Sequence, residues 1–256
     1  MRRLVTDTLV IAERNLVRLP RAPDLLLAFT VQPVMFVLLF RYVFGGAIRT
    51  PHGTPYVDYL IPGIIVQNIA FGGFVTALGL NEDVHKGLID RFRSLPMARP
   101  AVLAGRTFSD IVTNLLSMTV LTITGLIIGF SFRHTTPLDV IAGIGLLVLF
   151  GYAFSWVFAF LGMLVSSAEA ANSVGFIVVF PLTFISSAFV PVRSMPEVLR
   201  AFAEVNPFTI MVDAMRALWL GAPAQNNVWA AFVWSFAIIT VFAPVAVARY
   251  RRTAGQ

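Results

Sequence analysis

The sequence predicts an all-α polytopic membrane protein: one transmembrane domain over residues 1–256 with six transmembrane helices. An N-terminal interfacial helix, a short cytoplasmic helix between spans 2 and 3 and an extracytoplasmic hairpin of short helices between spans 5 and 6 complete it. Three observations predict this class. Hydrophobic residues fill 57% of 256 positions and charged residues only 12%, against about a quarter in soluble domains. The apolar residues gather into six stretches that reach the ~20 residues a helix needs to cross a hydrocarbon core ~30 Å thick. The arginines and the single lysine, Lys86, fall in and around the connections between those stretches.

In residues 1–20, Val5, Leu9, Ala12, Leu16 and Leu19 recur at helical spacing while Arg2, Arg3, Asp7, Arg14 and Arg18 take other faces. Such a stripe suits a helix lying flat in the interface, its arginines among anionic headgroups. Apolar stretches follow at 25–44 and 60–80, parted by a loop with Arg49, Pro51 and Asp58, then at 107–130, 140–165, 172–190 and 228–248. Gly125 and Gly129 in the third match the G-x-x-x-G spacing that lets helices approach closely.

Between spans 2 and 3, residues 81–96 read as a short amphipathic helix. Asn81 is its expected N-cap, with Glu82 and Asp83 in the first turn, where acids complement the helix dipole. Val84, Leu88, Phe92 and Leu95 form one stripe, Lys86, Asp90, Arg91 and Arg93 take the other faces, and Pro96 ends the helix. This stripe can rest on lipid or fill a groove on a partner; burying three of its side chains would contribute about 1.5–3 kcal/mol each before ordering costs. Between spans 5 and 6, residues 195–220 hold two short apolar faces, Val198, Leu199, Phe202, Val205 and then Phe208, Met211, Met215, Leu218, parted by Pro207. Each piece is too short to span and holds acid and base, so a re-entrant pair of short helices is expected.

Orientation follows from the basic residues. Thirteen of the nineteen lie on the flanks shared by both termini and the 81–106 segment, which places those flanks in the cytoplasm. The net charge of +6 is therefore a topology signal; no basic face with interleaved aromatics points to nucleic acid. With no cysteine there is no disulfide framework and no thiolate metal site. Asp7 and Glu13 interrupt any signal-peptide core.

Catalytic and energy-supplying motifs are missing. Gly87 follows the only lysine, so no P-loop exists for ATP and Mg. His52, His85 and His134 are isolated, leaving no metal site, and no G-x-S-x-G elbow occurs. Asp110, Asp139, Arg41 and Glu169 fall near the expected span ends, whereas Gln32, Gln67, Asn68 and Asn114 are deep. Those amides either hydrogen-bond between helices or touch a substrate. A stand-alone secondary carrier for a hydrophobic solute is disfavoured by the lack of a deep acid, and a lipid-modifying enzyme by the lack of a catalytic constellation.

The segment 81–100 continued by "AVLAGRTFSDIV", together with "FPLTFISSAFVPVRSMPEVLRAFAEVNPFTIMVDAMRALWLG" at 180–221, resembles the type-2 ABC-transporter permeases, specifically the daunorubicin-resistance exporter group. The resemblance implies a permease domain in the bacterial plasma (inner) membrane, working with two copies of a separate ABC ATPase subunit and a second permease copy or related permease. ATP and Mg would bind the partner, and no cofactor this chain. It implies a coupling helix seated on the ATPase, with Glu82, Gly87, Leu88, Arg91, Pro96, Arg99, Gly105 and Arg106 matching the signature. Glu169 and Asn172 on the next inner loop would add a second contact. His85-Lys86 departs from the usual acidic start. The implied function is outward movement of drug-like compounds or envelope lipids, along a route lined by the first, second and fifth spans.

Overall fold

A computed structural model of the chain describes Glu13 and residues 23–85, 99–165, 167–223 and 226–253. The expected interfacial helix at 1–20, apart from Glu13, and residues 86–98 lie outside the described residues. Eight α-helices are described: α1 (Pro23–Leu39), α2 (Tyr56–His85), α3 (Arg99–Ile127), α4 (Pro137–Gly162), α5 (Ala168–Phe184), α6 (Glu197–Val205), α7 (Pro207–Leu220) and α8 (Asn227–Thr253). A π-helical turn, Phe40–Phe44, extends α1. Among the described residues α2, α3, α4 and α8 are long and apolar enough to cross a membrane, while Val31–Phe44 and Glu169–Phe184 are shorter apolar helices. The chain is a multi-pass, all-helical membrane protein.

Helix ends are set by polar residues at the boundaries. Thr136 and Asp139 form a capping box on α4, Thr136 N–H donating to the Asp139 carboxylate at 2.9 Å and Pro137 opening the helix, an arrangement that satisfies orphan donors of the first turn. The Ser167 hydroxyl caps α5 through Ala170 N–H at 3.1 Å. Such caps lie outside the apolar stretch, so helices begin a few residues before the hydropathy does.

Asn81 departs from expectation. The second span stays helical through it to His85, so Asn81 is no N-cap, and Glu82 and Asp83 sit in the last turns of α2 instead of the first turn of a new helix. The Asn81 amide turns to α4, donating to the carbonyls of Gly162 at 3.3 Å and Val165 at 2.9 Å. Those acceptors are left over at a helix C-terminus, and a side chain from a neighbouring helix satisfies them as well as one from the same chain segment would.

The bundle is organised around α2, which packs against α3, α4, α5 and α7, while α8 lies on α4 and α7. Small residues permit the approaches. A Cβ at Gly63 would lie 2.2 Å from the Ala188 carbonyl oxygen, closer than any real contact. Of the G-x-x-x-G pair, Gly125 faces Ile61 of α2, whereas Gly129 lies past the end of α3 at φ +104°, where its role is a turn that L side chains rarely adopt.

The 195–220 segment folds as two short helices joined at Asn206. Pro207 is the first residue of α7, and the Asn206 side chain accepts from Phe208 N–H at 2.9 Å. Its amide donates to the carbonyls of Leu182 and Ile185, each at 2.7 Å, tying the hairpin to the end of α5. α7 is buried on most sides, Phe208, Met211, Met215 and Trp219 all enclosed. In contrast, the apolar face of α6 points outward, with Val198, Phe202 and Val205 exposed. α8 likewise turns Trp229, Val233 and Phe236 outward, as a lipid-facing helix does.

Candidate functional site

A cavity of about 350 Å³ lies between α1, α2 and α5. Its polar groups are Gln32 from α1, Gln67 and Asn68 from α2 and Asn172 from α5; aromatic walls come from Phe36, Phe71, Phe74, Phe176, Phe180 and Phe184, with Ile64, Val75 and Leu78 between them. No Asp, Glu, Lys or Arg lines it. None of the four amides hydrogen-bonds to another described residue, so donors and acceptors stand open toward the space. The size falls within the range of small-molecule pockets, ~300–1,000 Å³, and so does the pattern of apolar walls with a few polar groups.

The stripes that build the cavity are periodic. On α5, Asn172, Phe176, Phe180 and Phe184 recur every four residues, and on α1 Gln32 and Phe36 keep the same spacing, continued by Phe40 at the start of the π turn, which stacks side chains on one helix face. The rings of Phe71, Phe74 and Phe176 pack at 5.2–5.6 Å. A second run leads away from them: Phe180 stacks on Phe184 at 4.2 Å, Phe184 meets Phe189 at 5.0 Å, and Phe189 stacks on Phe40 of the π turn at 4.5 Å. The cavity wall is thus continuous with an aromatic row reaching the hairpin end of the bundle.

Three of the four amides expected on a substrate route, Gln32, Gln67 and Asn68, line this space. Asn114 does not. It is buried on α3, its Oδ1 placed 2.3 Å from where a Cβ on Gly72 would be and its Nδ2 2.8 Å from one on Gly151, so it fills the junction of α2, α3 and α4 behind the cavity wall. Asn172, expected as an inner-loop contact, lines the cavity instead. The amide followed by phenylalanines every fourth residue is the sequence signal for it.

The expected coupling residues are placed as follows. Gly87, Leu88, Arg91 and Pro96 lie outside the described residues. Glu82 is exposed on the last turn of α2, Arg99 opens α3, and Gly105 and Arg106 are buried within α3. Arg106 Nη1 is 2.7 Å from Asp83 Oδ2, both side chains nearly enclosed.

Asp110, expected near a span end, is 6% exposed and lies about two helical turns inside the apolar window that starts at Leu103. It accepts a hydrogen bond from Thr76 of α2. The span-end placement is therefore corrected: a carboxyl does lie among the helices, held by a hydroxyl and outside the cavity lining. At the other end, Asp58 is fully buried, accepting from Ser131 N–H at 3.1 Å with the Arg133 guanidinium at 3.0 Å. Arg216 of α7, read from sequence as one of several hairpin charges, is buried. It donates to the carbonyls of Tyr59 and Ser187 at 2.8 Å each and to Asp213 at 2.8 Å, and lies 3.5 Å from the centre of the Tyr59 ring. These contacts fix the hairpin to the start of α2.

A multi-pass helical chain with an amide-bearing cavity that no Asp, Glu, Lys or Arg lines has the architecture of a membrane permease. Comparison with known proteins narrows the class. The ABC-2 type transporter family model matches residues 6–220. The chain is 33% identical over 247 residues to the daunorubicin resistance ABC transporter permease protein DrrB1 of Streptomyces coeruleorubidus, covering 96% of this chain and 87% of that one. It is 24% identical over 251 residues to the probable doxorubicin resistance ABC transporter permease protein DrrC of Mycobacterium tuberculosis H37Rv, covering 98% and 90%. To the inner membrane transport permease YadH of Escherichia coli K12 it is 22% identical over 220 residues, covering 83% and 81%. The chain belongs to the ABC-2 type transporter family and is a membrane permease subunit of an ABC exporter.

Proposed function

We propose that this permease moves amphipathic, ring-bearing compounds outward through the cavity between α1, α2 and α5, driven by ATP and Mg bound to a separate ATPase subunit. The observation that carries the reading is the cavity itself: phenylalanine walls, four open neutral amides and no ionisable side chain. An aromatic face gains from stacking on such walls, and the amides take up hydrogen-bonding edges. The names of the drug-resistance relatives point to ring-bearing compounds of this kind.

In this reading the chain crosses the bacterial plasma membrane six times with both termini in the cytoplasm. α1 with its π turn, and α5 with the irregular segment after it, supply the two shorter crossings. The hairpin of α6 and α7 then shields the non-helical backbone at 185–190, through Thr209, which accepts from Ser187 N–H, and through Arg216; unpaired backbone does not persist in lipid. Glu82, Arg99 and residues 86–98 form the face on which the ATPase seats. Two permeases and two ATPases make the working unit.

The test is reconstitution. The chain is co-expressed with a candidate P-loop ATPase subunit, sought in the adjacent gene, purified and placed in proteoliposomes. ATP-dependent daunorubicin movement that requires both proteins supports the reading; movement driven by a proton gradient with this chain alone would sink it. The second reading, a proton-coupled carrier, has one favouring observation in buried Asp110. An Asp110→Asn variant that keeps ATP-driven transport removes that support.

A further inference from the structure

We infer that Arg106 and Asp83 form an internal tie that makes both ends of the α2–α3 loop move as one body, so that Arg106 is a positioning residue for coupling and not a contact for the ATPase. The inference rests on the reading that residues 86–98 receive the ATPase. Arg106 sits about two turns inside α3 and Asp83 at the last turn of α2, on either side of residues 86–98, and their side chains meet at 2.7 Å. Both are enclosed, at 11% and 6% side-chain exposure, so neither presents its charge to a soluble partner.

The guanidinium has a place prepared for it. A Cβ built on Gly79 would fall 1.3 Å from Arg106 Nη2; the arginine occupies the volume that any other residue at 79 would take. One turn further along each helix, Thr76 donates to Asp110, a second tie in the same seam. Asn81 adds α4 through the carbonyls of Gly162 and Val165. Three helices are thereby pinned at their loop ends. On the same turns of α2, Val75 and Leu78 form part of the cavity wall. A push on the loop therefore reaches the cavity as a joint displacement of α2 and α3; with the tie cut, the two helix ends yield separately and the push is lost before it arrives.

The experiment uses the full permease with its co-purifying ATPase in proteoliposomes, with daunorubicin as the probe. Arg106→Ala is expected to lower ATP-driven daunorubicin transport at least tenfold while the amount of ATPase captured stays within twofold of the unmodified chain. The charge swap Asp83→Arg with Arg106→Asp is expected to bring transport back to within threefold. Because the chain has no cysteine, Asp83→Cys with Arg106→Cys can be bridged by a reducible bis-methanethiosulfonate linker, expected to restore transport when bridged and to lose it on reduction of the same sample. This arm also decides the matter if Arg106→Ala fails to fold. Unchanged transport in Arg106→Ala, or loss of ATPase capture together with a bridged variant that stays inactive, would overturn the inference. If the unmodified chain captures no ATPase, the coupling reading itself falls, and that outcome is distinct from both.

Discussion

Arg216 shows how a single side chain can hold an architecture. Its guanidinium reaches the carbonyl oxygens of Tyr59 and Ser187, the Asp213 carboxylate and the Tyr59 ring, joining α7, the start of α2 and the segment after α5. Removing a buried cation from such a cluster leaves its acceptors unpaired, at a cost of about 3–5 kcal/mol. Arg216→Met should therefore lower the thermal unfolding midpoint in detergent sharply, whereas Asp213→Asn, at a position one-third exposed, should lower it much less; equal shifts would show that the ion pair, not the carbonyl cage, is what matters. At this scale the sequence was least legible. Arg216 reads as one charge among five in its segment, and Arg106 as one basic residue among many near the loop, because burial is set by which helices close over a residue. Asn81 shows the same limit in another form, since an asparagine before two acids has the pattern of an N-cap whether its amide serves its own helix or the end of another.

Elements were more legible than residues. The apolar stretches at 60–80, 107–130, 140–165 and 228–248 each coincide for most of their length with one long helix; the polar starts were missed because a cap such as Thr136 carries no hydropathy, and 107–130 and 140–165 run on past the helix ends at Ile127 and Gly162. The shorter apolar helices were harder: hydropathy runs on through Phe40–Phe44 and through 185–190, where the backbone leaves the α conformation. Close packing at glycines supplies an element-scale test. Gly63→Ala places a methyl 2.2 Å from the Ala188 carbonyl, whereas Gly145 on α4 has nothing within 4 Å. Overpacking of this kind costs about 1–3 kcal/mol. Gly63→Ala should lower the unfolding midpoint and Gly145→Ala should leave it unchanged or raise it. A neutral result at Gly63 would mean that α2 and the segment after α5 are not in the contact described.

At the scale of the whole molecule, the proposed function rests on the arrangement of α1, α2 and α5 around one cavity. Gln67 is the most enclosed of its amides, and Gln67→Leu keeps the volume while deleting the polar edge. Affinity for a compound with hydrogen-bonding groups should fall about tenfold, equivalent to ~1.4 kcal/mol, with little change for a purely hydrocarbon ring system; transport assays with two such probes check the difference. Gln67→Glu would place a charge at membrane depth, costing about 2.5–3.5 kcal/mol, and should lower the yield of inserted protein on membrane fractionation. The general position of this site could be read in advance, because Gln32, Gln67 and Asn68 are polar residues in apolar spans and such residues need a reason. Asn114 shared that signal and went elsewhere, into the seam beside Gly72 and Gly151. No composition rule separates an amide that faces a neighbour's glycine from one that faces open space.

The outward face of α8 carries a further consequence, in optical terms. Trp229 and Trp234 are 75% and 39% exposed on that helix, while Trp156 and Trp219 are enclosed at 6% and 1%. The protein thus contains two populations of indole, one able to meet acyl chains and one sealed from them. In vesicles whose lipids carry bromine on the chains, fluorescence from the first pair should be quenched and that from the second retained with its own emission maximum. Replacing Trp229 and Trp234 by phenylalanine should abolish most of the quenching, and the two remaining tryptophans would then report, undisturbed by lipid, any rearrangement of the hairpin and the bundle beneath it.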